Sequence, residues 1–145
     1  ALSALARLKP TTILEDATVP RSKIAEMVRA INDIAREYKV DICTFGHAGD
    51  GNLHPTCLTD VRNKEEIHRV EQAFESIFHK AVELGGTITG EHGVGAMKSP
   101  YLHLKLGDEG IAAMKGIKQA FDPNNIMNPG KIFAKSERKR VVVHA

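Results

Sequence analysis

A chain of 145 residues with a net charge of +2 has the size of one domain, and a chain this long can bury roughly two-thirds of its unfolded surface without staples. It carries no basic stripe interleaved with aromatics, which excludes a nucleic-acid groove, and no apolar run near the roughly 20 residues that cross a bilayer. Cys43 and Cys57 are the only cysteines and read as free thiols of a reducing compartment.

The first eight residues read as the end of a helix that Pro10 stops. Residues 13–19 read as a short strand, and Pro20 then opens a helix where its missing N–H costs nothing. Ile24, Met27, Val28, Ile31, Ile34, Ala35 and Tyr38 lie at helical spacing on that helix and predict its core stripe. Residues 40–45 and 52–59 read as two strands. The turn between them contains Gly49, Asp50 and Gly51, residues that reach positive φ cheaply, so the pair is expected to form a β-hairpin.

Asn63 and Glu66 have the spacing of a helix cap. The helix they open carries Ile67, Val70, Phe74, Ile77, Phe78, Ala81 and Leu84 on one side, and Gly85-Gly86 ends it. His68 and His79 fall at the edges of that stripe and read as surface histidines. Residues 87–89 are expected to be a brief strand running into a glycine-rich loop. Residues 97–106, interrupted by Pro100, read as irregular. A third amphipathic helix is expected to begin near Asp108 and to use Ile111, Met114, Ile117 and Phe121, with Asp122-Pro123 halting it.

Residues 124–131 form a turn-rich close, and 141–143 read as a strand or an unstructured end. The order β-α-β-β-α-β predicts an α+β fold: an antiparallel or mixed sheet with amphipathic helices packed on one face, followed by a short helical C-terminal segment. Residues 1–134 are expected to form the domain and 135–145 a basic, disordered tail.

The chemistry-bearing residues cluster at two glycine-rich turns. His47 and His54 bracket the hairpin turn, separated by six residues. Side chains alternate along a strand, so Cys43, Phe45 and His47 share one face of the first strand, and Asn52, His54 and Thr56 share one face of the second. Tight closure brings the two imidazoles together as half of a metal site. Glu91 and His92 are adjacent in the second turn, and on an extended backbone their side chains diverge. Glu91 is then the third ligand. Two imidazoles and a carboxylate with a position left open have the composition of a catalytic zinc-type site, though other divalent ions accept the same set.

His92 is left as a general base, the imidazole being the side chain that ordinarily titrates near neutral pH. A metal beside a base can ionise an alcohol or a water, and composition does not choose between them. A structural Cys2His2 site of Cys43, His47, His54 and Cys57 fails on parity, because Cys57 lies three residues from His54 and faces the other side. Gly90-x-x-Gly93-x-Gly95 has the wrong spacing for a dinucleotide loop. The competing class is a non-catalytic metal-binding or docking module.

Three segments carry a resemblance. Gly46-His47-Ala48-Gly49-Asp50-Gly51-Asn52-Leu53-His54, Gly90-Glu91-His92-Gly93-Val94-Gly95 and Phe121-Asp122-Pro123-Asn124-Asn125-Ile126-Met127-Asn128-Pro129-Gly130-Lys131 resemble signatures of the C-terminal domain of FAD-linked oxidases of the vanillyl-alcohol-oxidase type. Within that family the resemblance is to the glycolate oxidase FAD-linked subunit and D-lactate dehydrogenase group, with D-2-hydroxyglutarate dehydrogenase a relative, and it runs from about residue 13 to 133.

The resemblance implies a cap, or substrate, domain over the flavin of an FAD-dependent 2-hydroxy acid oxidoreductase. It also implies a divalent metal, zinc or manganese, on His47, His54 and Glu91, with His92 taking the substrate hydroxyl proton. Asn128 and Lys131 are the implied cofactor-side residues. Implied partners are a small 2-hydroxy acid, an upstream FAD-binding domain and electron-transfer subunits; the implied location is cytoplasmic or peripheral to the inner membrane face.

The FAD-binding domain of such proteins lies upstream of this segment, as does their substrate-gripping arginine. The chain alone is therefore expected to be inactive and, with its flavin-facing surface bare, to self-associate. Thr56 stands where the hydroxyglutarate enzymes carry asparagine, which points to glycolate or D-lactate instead.

Overall fold

A computed structural model describes residues 2–133. The expected basic tail at 135–145 and the segment 141–143 lie outside the described residues. After a single helical turn, α1 (Leu2–Leu5), the chain enters β1 (Thr11–Leu14) and β2 (Ala17–Thr18), then α2 (Ile24–Tyr38), the hairpin β3 (Asp41–His47) and β4 (Asn52–Thr59), α3 (Lys64–Glu83) and α4 (Leu102–Phe121). Every strand pairing is antiparallel. β4 is the central strand, buried along its whole length, with β3 on one side and β1 and β2 on the other.

The strand expected at 13–19 is present but interrupted, and the cause lies in its neighbour. β1 pairs Leu14 with Thr56, and β2 pairs Ala17 with Leu53, so one register runs through both. In that register Glu15 faces Pro55. The Glu15 N–H donates to the Pro55 carbonyl at 3.1 Å, but proline has no N–H to return. The ladder opens there, at Glu15 and Asp16.

The expected hairpin forms in the expected parity: Cys43 pairs with Thr56, Phe45 with His54 and His47 with Asn52, all on one face. Gly51 closes it at φ +73°, and a Cβ there would come within 2.0 Å of the Val19 carbonyl oxygen, so only glycine fits. α2 and α3 cover the opposite face. Met27, Ile31 and Ala35 of α2 and Val70, Phe74, Ile77, Phe78 and Ala81 of α3 meet Ile13, Ala17, Leu53 and Cys57 in one core. Each large side chain there contributes roughly 1.5–3 kcal/mol relative to exposure. Asn63 caps α3 as its spacing predicted, accepting from the Glu66 N–H at 3.1 Å.

Two expectations need correction. Residues 87–89 make only a single bridge, Thr18 to Thr87, with no strand beyond it. Residues 97–106 are not irregular: a 3-10 turn at Ser99–Tyr101 leads into α4 at Leu102, and Pro100 sits in the first turn, where it is tolerated. The helix expected to begin near Asp108 does begin there: Gly107 (φ +63°, ψ −177°) is not helical, and its kink divides α4 into a first piece from Leu102 and a second that runs to Phe121. Beyond that kink the apolar stripe is not core; Phe121 is 84% and Ile117 61% exposed.

Candidate metal centre

The residues of the candidate centre arrive from two directions. His47 ends β3, and His54 is the third residue of β4, diagonal to it across the hairpin. Their rings stand edge to face, 5.2 Å apart between centroids, the reach expected of diagonal cross-strand neighbours. Glu91 and His92 come from the loop after the Thr87 bridge. Glu91 Oε1 lies 2.8 Å from His54 Nε2 and 3.4 Å from His47 Nε2. One ligand atom from each of His47, His54 and Glu91 lies within 4.8 Å of the others. The His92 ring stacks on His54, centroids 5.0 Å apart and 12° from parallel, with its Nε2 3.9 Å from Glu91 Oε1.

Gly90 is what lets the loop come this close. A Cβ there would stand 2.2 Å from Thr18 Oγ1 and 2.6 Å from Asn52 Cγ, two side chains that are themselves hydrogen-bonded at 3.0 Å.

His54 is buried, whereas His47 and Glu91 are exposed. Burial holds the His54 imidazole below its ordinary pKa; His92 and His47 push the same way, and Glu91 and Asp16 oppose. The neutral imidazole favoured by this balance is the form that ligates a metal. His54 Nδ1 is buried with no hydrogen-bond partner among the described residues, so no protein group fixes the tautomer. The donor set fits a divalent cation: two nitrogens and a carboxylate oxygen, converging, with the solvent side open. The rival cysteine site is absent from this cluster. Cys57 lies in the core, its thiol pushed up to about 12 by burial.

A cavity of about 800 Å³ opens beside His92, lined by Leu14, Glu15, Val94, Lys98 and Lys131 among others. Lys131 is thus brought to the His92 side of the molecule, and the Ile132 N–H donates to the Gly95 carbonyl at 2.9 Å, tying the closing segment to the loop. Asn128 is not brought there. It sits at φ +50° in a turn where its carbonyl accepts from the Lys131 N–H, and it borders a separate pocket with Ile117 and Phe121.

Three residues of this neighbourhood were missed by sequence reasoning. Asp16 is fully buried, and its Oδ2 accepts from the N–H groups of Gly90 (2.7 Å), Glu91 (2.8 Å) and His92 (3.1 Å). Lys98 Nζ donates to Asp16 Oδ1 and lies 3.2 Å from Glu15 Oε2. Burial alone would push the Asp16 carboxyl up. The Lys98 ammonium and the Glu91 and His92 N–H groups outweigh it and hold the carboxyl far below the usual carboxylate range. For Glu15 burial wins over Lys98, and its carboxyl is raised. The only signal in the sequence was an acidic pair, Glu15-Asp16, inside a strand with no other charged residue.

Residues 1–132 match the family described as FAD linked oxidases, C-terminal domain. The chain belongs to this family. As an FAD-linked oxidase C-terminal domain it is 78% identical over 142 residues to the glycolate oxidase subunit GlcD of Bacillus subtilis, covering 98% of this chain and 30% of that protein. It is 44% identical over 121 residues to a D-lactate dehydrogenase of Anaerostipes hadrus, covering 83% of this chain and 26% of that protein. With the GlcD subunit of Escherichia coli K12 it shares 34% identity over 131 residues, 90% of this chain and 26% of that protein. The domain thus spans less than a third of the curated relatives it matches. No helix among its described residues is long and apolar enough to cross a membrane.

Proposed function

We propose that this domain is the metal-binding, substrate-facing part of an FAD-dependent 2-hydroxy acid oxidoreductase, acting on glycolate or D-lactate. The observation that carries the reading is the convergence of His47, His54 and Glu91 within 4.8 Å, with the His92 ring stacked against His54 and open to solvent. His47, His54 and Glu91 would hold a divalent cation, zinc or manganese, with His54 Nε2 the nitrogen that faces the Glu91 carboxylate. A cation bound there would supply charge that acidifies a substrate hydroxyl, and a flavin held by an upstream domain would supply the hydride acceptor.

This chain's own contribution is placement and proton transfer. His92 takes the hydroxyl proton at Nε2, the nitrogen on the Glu91 side, while its Nδ1 faces the Asp16 carboxylate 3.8 Å away. Lys131, on the wall of the cavity beside His92, supplies a cation for the substrate carboxylate or for the cofactor side of the pocket. Asn128 is assigned to the cofactor side on the family motif alone, since it borders the separate pocket with Ile117 and Phe121.

The test is made in the intact-length protein, assayed with glycolate and D-lactate and an artificial electron acceptor. His92→Ala is expected to lower turnover about 100-fold or more with metal content retained, and His54→Ala to lose both. Equal loss of metal in the two variants would make His92 a ligand. Turnover unaffected by either substitution would remove the site from the reaction.

A further inference from the structure

Loop 90–98 bears both Glu91 and His92 and includes three glycines, at 90, 93 and 95, so its chain has little conformational preference of its own. It has no strand partner beyond the bridge at Thr87. Its order has to come from outside, and one side chain supplies it at both ends. At the front, three successive N–H groups, those of Gly90, Glu91 and His92, converge on the single oxygen Asp16 Oδ2, and Thr89 Oγ1 donates to the same atom at 3.3 Å. Such a concave run of amides is an anion nest, filled here by the protein's own carboxylate. At the back, Lys98 Nζ donates to Asp16 Oδ1 and reaches the Asp16 carbonyl oxygen at 3.3 Å. Lys98 is itself buried, and its N–H closes a turn onto Val94.

Asp16 holds this position because of Pro55. The strand register that places His54 on β4 places Asp16 opposite it, at the point where Pro55 opens the ladder and frees the strand from regular pairing. Resting on the metal reading above, we infer that Asp16 is the positioning residue of the centre. It clamps loop 90–98 at both ends, so that the Glu91 carboxylate meets the two histidines of the hairpin and the His92 ring lies flat on His54. Charge-assisted hydrogen bonds of this kind are the strong ones, and residues that orient ligands typically change metal affinity by about 10- to 100-fold when removed. Lys98 is the counter-charge that allows a buried carboxylate to do this.

The test separates the clamp from the metal. In the metal-free protein the Gly90, Glu91 and His92 amides are expected to resist hydrogen exchange, while the Gly93 amide exchanges freely. Free exchange at all three overturns the inference without any variant. Asp16→Ala combined with Lys98→Met removes the clamp and its counter-charge together; it should release those three amides, leave α3 and β4 protected, and weaken Zn²⁺ binding by about 10- to 100-fold. Asp16→Asn keeps an acceptor oxygen in place and should retain most of the protection and affinity, a rescue that a general loss of core packing would not give. Unchanged amides and unchanged affinity in the double variant overturn the inference and leave the metal reading standing. Protected amides with no Zn²⁺ binding in the unsubstituted protein overturn the metal reading, and the positioning role with it.

Discussion

The two faces of the sheet are held by different physics. The helix-covered face is aliphatic, a core of Ile13, Ala17, Leu53 and Cys57 against α2 and α3, and its order comes from excluded water. The other face carries His47, His54, Phe45 and Cys43, and the loop lying over it is ordered by hydrogen bonds to one carboxylate. A side chain lost from the first face leaves a cavity and lowers the stability of the whole domain. A side chain lost from the second changes what the domain can bind while the fold persists. The same strand, β4, serves both faces, and a step of one residue moves a side chain from one regime to the other.

Substitutions that should affect one face alone break or sharpen this contrast. The largest effect is expected on the core face. Ile77→Ala, at a fully buried position, should cost about 2–5 kcal/mol in urea denaturation, with Zn²⁺ affinity per folded molecule unchanged within about twofold. A matching loss of affinity would mean that the two faces are not independent. Gly90→Ala acts on the other side. Its Cβ meets Thr18 and Asn52 at less than 3 Å, so the loop must lift; overpacking of this kind costs about 1–3 kcal/mol. Zn²⁺ affinity should fall at least about tenfold, a drop out of proportion to the stability change.

The cysteines give the mildest probe, one on each face. Cys43 is exposed, whereas burial raises the Cys57 thiol to about 12. A thiol reagent should therefore label one thiol per native chain, and the second only on unfolding. Two reactive thiols in the native protein would show that the core face opens.

How much of this was legible in the sequence follows from the range of each interaction. The hairpin parity was legible because period-two alternation and the Asp50-Gly51 turn are local, and they correctly placed His47 and His54 on one face. The stripes of α2 and α3 were legible for the same reason. The stripe of α4 was legible as a pattern but not as burial: periodicity shows that a face is apolar, not that anything covers it, and Phe121 lies bare. The Thr87 segment carries too little side-chain pattern to distinguish one bridge from a strand. The role of Asp16 was not legible. Its partner Lys98 is 82 positions away, and the reason it is free to meet that lysine is a proline on another strand. An acidic pair in a short strand reads as a solvent edge unless the opposite residue is known.

Zn²⁺ titration calorimetry of the unsubstituted protein beside His47→Ala, His54→Ala and Glu91→Gln tests the central claim most directly. Convergence of these three side chains on one cation predicts one ion bound per chain in the unsubstituted protein, and affinity lost or reduced by at least tenfold in each variant. Binding of the same stoichiometry and affinity in all four proteins would place the cation elsewhere and contradict the account.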